Sequence, residues 1–336
     1  MRMTPATKRP RLGPSLAVVA AATALFSGVF AIRNASPQGQ VDPSQAYQLE
    51  VSVDYILVPV VVRSPKGYVQ DLEADDFRVF VDDQPVPITS FDRGVNAPIS
   101  VIFLQDLSGS MANGLKIGLS RRTIHRFLTV RRPADLFALA SFAHGRTEID
   151  VVFTSDLNRL HAAMDSWAPY GTTALHDAVS WLPEMTLEIT SSKRAAVLIS
   201  DGVDNASQIE ASDARERVRQ AELPVYVMAL TLGAVDETRA DDVELSGIAK
   251  DLDELAYSTG GKLFWIASQA AVDRACAMIF ADLRQQYVLG FSTTAAGPVA
   301  RRQIRVELRK SKKKHTLAYR RAYEGTPAEV APSRSM

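Results

Sequence analysis

From Pro98 onward the chain alternates between short apolar runs and longer stretches of helical period. Ile99–Leu104, Phe137–Phe142, Ala195–Ser200 and Val225–Leu230 are unbroken runs of strand length, with Lys262–Ile266 as a later one. Unbroken rather than alternating apolarity marks strands covered on both faces. Between them, Leu115–Leu128, Ala174–Leu187, Ser207–Ala221, Ser246–Ser258 and Ala270–Gln285 repeat apolar residues at three to four positions and predict helices. Glu148–Phe153 adds a short edge strand. The pattern predicts an α/β fold: a doubly wound, mostly parallel, Rossmann-like sheet with helices on both sides.

The flanks follow a different rule. Leu49–Tyr55 alternates, Ile56–Val62 is apolar and β-branched, Ser64–Gly67 reads as a turn, and Phe77–Val81 and Ile88–Phe91 continue the strand signals around Asp82 and Asp83. After Gln286, Tyr287–Thr293, Gln303–Leu308 and Leu317–Tyr323 again read as strands, the last two joined by a turn at Ser311–Lys314. Both flanks are therefore expected to build one β-sandwich-like module, into which the α/β domain is inserted with its ends close together. The boundaries expected are 49–96 and 286–324 for the two parts of the module, 97–285 for the inserted domain and 325–336 for a flexible tail. The acidic stretch Asp71–Phe77 lacks the spacing and glycine of a calcium loop and reads as a turn.

The first 48 residues change the picture of where the protein works. Arg2, Lys8, Arg9 and Arg11 precede an eighteen-residue apolar run, Ser15–Ile32, and a polar linker follows over 34–48. A basic flank before an apolar run is an export signal, and Val29-Phe30-Ala31 offers small-residue positions for a peptidase. Eighteen residues is the short limit for a bilayer span, so residues 1–33 are expected to be either a cleaved signal peptide or an uncleaved membrane anchor. Either way the remainder is exported, as a periplasmic, cell-envelope or secreted protein.

Composition excludes more than it identifies. Apolar residues make up 46% of the 336 and charged residues 23%, so neither wholesale disorder nor a polytopic membrane protein fits. The single cysteine, Cys276, rules out an intramolecular disulfide framework and multi-cysteine zinc, and is expected to be a small core residue. Trp167, Trp181 and Trp265 are likewise read as packing residues. The net charge of zero hides a local balance of +8 in residues 300–336. Those basic residues surround predicted strands, where solvated side chains explain them, and no nucleic-acid motif accompanies them.

Chemistry concentrates in three loops. Open parallel sheets bind ligands beyond the carboxyl ends of their strands. The first apolar run leads into Asp106-Leu107-Ser108-Gly109-Ser110-Met111, another leads into Ser200-Asp201-Gly202-Val203-Asp204-Asn205, and Gly171-Thr172-Thr173-Ala174-Leu175 precedes a helix. Each alone reads as readily as a turn or helix cap. Together they supply hydroxyls and two carboxylates without a His or Cys ligand, the oxygen-only set that hard divalent cations prefer.

Asp106-x-Ser108-x-Ser110, Thr173 and Asp201 resemble, in order and context, the metal-ion-dependent adhesion site of von Willebrand factor A domains. The lead-in Leu72–Phe91, Gly171–Val179, Ser258–Gly261 and Gln285–Gly290 resemble the von Willebrand A-related proteins common in Acidobacteria. The resemblance implies Mg²⁺ or Mn²⁺ held by Ser108, Ser110 and, depending on state, Thr173, with Asp106 and Asp201 acting mainly through water. It also implies a protein partner whose Asp or Glu completes the coordination, so an adhesion role without catalysis. The family pattern carries glycine where Thr172 stands; Thr173 is taken as the ligand from its spacing to Ala174-Leu175. Gly109, Thr172, His176 and Asp204 are expected nearby or at the rim. Family members often shift their last helix on binding, and Ala270–Gln285 is the equivalent segment. The alternative is a Mg²⁺-dependent phosphatase or phosphotransferase with Asp106 as nucleophile. Haloacid-dehalogenase-like phosphatases place a second Asp two residues on as proton donor, and Ser108 stands there. A triad of Ser110, His176 and Asp177 lacks a nucleophile-elbow sequence around Ser110.

Overall fold

The computed structural model describes residues 53–94, 97–189, 191–220, 222–231, 247–294, 301–309 and 314–324. The expected leader, linker and tail lie outside them. In chain order the first flank contributes β1 (Val53–Ser64), β2 (Gly67–Tyr68), β3 (Phe77–Val81), β4 (Gln84–Val86) and β5 (Ser90–Asp92). The α/β region follows with β6 (Ile99–Asp106), α1 (Gly114–Val130), β7 (Leu136–Ala143), β8 (Arg146–Thr154) and α2 (Leu157–Ser166). It continues with α3 (Leu175–Ser180), α4 (Leu182–Met185), β9 (Lys193–Ser200), α5 (Ala211–Arg219), β10 (Val225–Leu230), α6 (Gly247–Thr259), β11 (Leu263–Ile266) and α7 (Gln269–Gln285). The second flank holds β12 (Tyr287–Thr294), β13 (Arg301–Leu308), β14 (Thr316–Ala318) and β15 (Ala322–Glu324).

The central sheet runs β11-β10-β9-β6-β7-β8, parallel throughout except for the antiparallel edge strand β8. Every residue of β6 is buried. Successive side chains of a strand point to opposite faces. Accordingly Val101 and Phe103 join the core shared with α1, α2 and α7, whereas Ile102 and Leu104 join the core under α3, α5 and α6. Cys276 is buried on α7, and its burial pushes the thiol up to about 12, so it is a packing group and not a reactive one.

The flanks pair with each other. β1 lies antiparallel to β12 from Val53↔Thr294 to Val60↔Tyr287, and β3 lies antiparallel to β13. Two sheets, β14-β1-β12-β5 and β15-β13-β3-β4, enclose one core of Val58, Val60, Phe77, Val79, Leu289, Phe291 and Val306. This is the β-sandwich-like module expected from both flanks.

Four local expectations need correction. The stretch Ala174–Leu187 is two helices, because Pro183 fits a first turn but not a helix interior, and the chain restarts at Leu182. Trp181 sits at that break and is exposed rather than packed. The helix expected from Ser207 starts at Ala211, since the backbone N–H groups of Gln208 and Ile209 donate to the Asp177 carboxylate instead. Leu317–Tyr323 is two strands in different sheets, β14 on β1 and β15 on β13. Buried Arg320 lies between them, donating to the Leu57 carbonyl at 2.9 Å. Helix α2 was not anticipated; Asp156 caps it, and Leu160 and Met164 bury its inner face.

Beneath the sheet, Lys193 at the start of β9 is buried, donating to the Arg284 carbonyl at 3.0 Å. Burial lowers its ammonium from the ordinary 10.5 to about 8, against the pull of Asp92 and aided by Arg284 and Arg132. Below pH 8 both folded and unfolded chains carry this proton, and folding bears the full cost of burying the charge. The cost fades as pH rises from about 8 to 10.5, where only the unfolded chain stays protonated. Wild type is therefore expected to gain on the order of 2–3 kcal/mol relative to Lys193→Met between pH 7 and 11. Urea unfolding of both proteins across that range checks it; a constant difference would refute it.

Candidate metal-binding site

The chain turns right from β6 through α1 to β7, and later left from β9 through α5 to β10. Strands β6 and β9 are neighbours, so the loops leaving their carboxyl ends diverge to opposite faces and open a crevice between them. Asp106 ends β6 and Asp201 follows β9, which places both carboxylates at that crevice.

Three contacts tie the predicted loops together. Ser200 Oγ donates to Asp106 Oδ2 at 2.6 Å, joining the β9 loop to the β6 loop. Gly109 N donates to the Gly171 carbonyl at 2.9 Å, joining the β6 loop to the threonine loop. Thr173 N donates to Asn205 Oδ1 at 2.9 Å, and its carbonyl accepts from the backbone of Asn205 and Ala206, closing the ring. Two glycines make these approaches possible. A Cβ on Gly109 would stand 3.1 Å from the Gly171 carbonyl, and Gly171 has a φ of +71° with His144 against it.

Within this ring Asp106 is fully buried, its Oδ1 accepting from Ser108 N at 2.8 Å. Burial pushes its carboxyl above the ordinary range, hydrogen bonds from Ser108 and Ser200 pull it back, and the charge of Asp201 raises it further. Ser108 is buried with its Oγ 3.1 Å from that of exposed Ser110. Asp201 bonds to Lys116 Nζ at 2.7 Å, and the same ammonium donates to the Ser110 carbonyl at 3.3 Å. Thr173 is buried and Thr172 exposed, the latter's carbonyl accepting from His144 N.

The rim residues serve the loops rather than the crevice. Asp204 accepts from the backbone of His176 at 3.1 Å and from Ser207. Burial raises its carboxyl, but these hydrogen bonds outweigh it and hold it below the usual range. His176 Nδ1 lies 3.8 Å from Asp204, while Ser110 Oγ pairs with Ser108, so Ser110, His176 and Asp177 do not assemble as a triad. Asp177 is spent on the backbone of Gln208 and Ile209.

Two residues escaped the sequence reading. Ser200 looks like the last residue of an apolar strand, and only the β6–β9 pairing aims its hydroxyl at Asp106. Lys116 looks like a helix-surface lysine. Its signal was positional: it lies in the first turn of α1, where the helix dipole disfavours a cation, so it needs an anion elsewhere.

Among the described residues no group of three or more His, Cys, Asp or Glu could hold a metal. Here the donors are two carboxylates with serine and threonine oxygens, and the crevice already holds a cationic ammonium. That donor chemistry fits a hard divalent cation. Fold and site thus define an open α/β domain with an oxygen-lined crevice at its topological switch point. Residues 101–203 match the family model of the von Willebrand factor type A domain, and the chain carries a domain of this type. Among solved structures it is similar to the conserved hypothetical protein BatB from Bacteroides thetaiotaomicron, at 18% identity over 54% of this chain and 98% of that one, TM-score 0.43. It is similar to a von Willebrand factor type A protein from Catenulispora acidiphila, at 11% identity over 82% and 75%, TM-score 0.45. It is also similar to the vWF domain of the type V pili tip protein Mfa5 from Porphyromonas gingivalis, at 12% identity over 56% and 96%, TM-score 0.43. No curated protein matches the chain.

Proposed function

We propose that this is an exported, non-enzymatic interaction protein that binds a partner protein through a divalent cation. Asp106, Ser108, Ser110, Thr173 and Asp201 would hold Mg²⁺ or Mn²⁺, and the cation would supply an electrophilic position for a carboxylate of the partner. What carries the reading is the cross-tying of three loops, two leaving the ends of β6 and β9 and one leading into α3, around oxygen donors that already attract a positive charge. Neutral hydroxyls leave most of the ion's charge unquenched, which favours an added anionic ligand. Export rests on the leader, Arg2 to Ile32, through which membrane attachment by residues 15–32 is also proposed. Among the described residues no helix is long and apolar enough to cross a membrane.

The phosphatase alternative is disfavoured by the surroundings of Asp106. Both its oxygens accept hydrogen bonds, it is fully buried, and Ser108 offers no general acid. The test is calorimetric titration of the purified protein with Mn²⁺, followed by capture from the native envelope in Mg²⁺ or in EDTA. Saturable Mn²⁺ binding and a partner retained only with Mg²⁺ are expected. Equal capture in EDTA would remove the metal bridge, and metal-dependent phosphatase turnover abolished by Asp106→Asn would establish the alternative.

A further inference from the structure

We infer that Lys116 is a tethered counter-cation that closes the site when no metal is bound and must leave for a divalent ion to enter. This rests on the metal-binding reading above and adds a gate to it. The Lys116 side chain is 13% exposed and the Asp201 side chain 6%, so this is a shielded pair and not a surface one. Its ammonium bridges a carboxylate and a backbone carbonyl from two different site loops. Asp106 is meanwhile satisfied by Ser108 and Ser200, and the Ser108 and Ser110 hydroxyls by each other. With Lys116 in place, both carboxylates and both serine hydroxyls have partners within the chain.

Local electrostatics oppose this placement. Lys116 is in the first turn of α1, among N–H groups carrying the positive end of the helix dipole, so it is the carboxylate that holds the ammonium there. A divalent ion sharing Asp201 with that ammonium would repel it strongly in a shielded crevice. The flexible four-carbon stem springs from the exposed start of α1, beside Gly114 and Leu115, which gives the ammonium a route to solvent. Affinity for the metal is then the intrinsic affinity reduced by the closed fraction of the protein.

The experiment has two arms on the purified exported chain. In the first, wild-type protein is labelled with an amine-reactive succinimidyl ester with and without saturating Mn²⁺, and each lysine is read by mass spectrometry. Labelling of Lys116 is expected to rise at least fivefold with Mn²⁺, measured against Lys250, whose side chain is 69% exposed. In the second, Mn²⁺ binding is measured by electron paramagnetic resonance for wild type and Lys116→Met. The variant is expected to bind at least tenfold more tightly, and its metal-free unfolding midpoint to fall and recover with Mn²⁺. If wild type binds Mn²⁺ yet Lys116 labelling stays flat, the gate is overturned and the metal site stands. Equal or weaker binding by a folded Lys116→Met overturns it likewise. Should neither protein bind Mn²⁺, the metal reading fails and the gate with it.

Discussion

Asp106→Asn is expected to weaken Mn²⁺ binding at least a hundredfold and to abolish metal-dependent partner capture, while raising the unfolding midpoint of the metal-free protein. The two halves have one cause. Asp106 is a buried carboxylate whose charged form is disfavoured by its surroundings, so the fold spends stability to keep it. An isosteric amide removes that charge, keeps a side chain able to hydrogen-bond with Ser108 N and Ser200 Oγ, and removes one of the two carboxylates proposed to hold the ion. Opposite movement of stability and binding is the signature of a functional group, because a purely structural residue loses both when replaced. Ser200→Ala should weaken Mn²⁺ binding by only about three- to tenfold, a fraction of the value of one hydrogen bond to a charged acceptor, because the Asp106 carboxylate itself remains. Calorimetry with Mn²⁺ and thermal unfolding in EDTA measure the pair. Asparagine leaving affinity unchanged would remove Asp106 from the metal site.

The second large effect lies at the far end of the domain. Asp282 on α7 is buried and gathers Arg63 from β1, Tyr68 from β2 at 2.7 Å and Tyr226 from β10 at 3.3 Å. One carboxylate thus joins the last helix, the central sheet and the sandwich. Burial, reinforced by the Asp282 charge, pushes the Tyr68 hydroxyl up to about 12, so both tyrosines remain donors at any physiological pH. Asp282→Ala strands a guanidinium and two hydroxyls together and is expected to cost about 2–4 kcal/mol, less than a wholly buried pair because Arg63 keeps some contact with water. The double variant Arg63→Met/Asp282→Leu should recover much of that loss. Urea unfolding decides it, and a loss below about 0.5 kcal/mol, ordinary for a surface change, would mean the network does not join the modules.

Local pattern made much of this legible. The unbroken apolarity of Ile99–Leu104 and Val225–Leu230 could only suit doubly covered strands, and both are central in the sheet. The strand-end loops were visible because short polar and glycine residues interrupt apolar runs abruptly. The misreadings came where a side chain from elsewhere in the chain takes over local backbone groups. Asp177 does so at Gln208, delaying α5, and the separate demands of β1 and β13 split Leu317–Tyr323 into two strands.

By itself the sequence determined the α/β class, the two-flank sandwich and the loops that carry the oxygen donors, since these follow from periodicity and residue chemistry within a few positions. Only the tertiary structure decided that β6 and β9 are neighbours, that Ser200 turns to Asp106, and that an ammonium from α1 reaches Asp201. Those contacts join residues as many as 94 positions apart, and their existence depends on strand order, which no local propensity encodes.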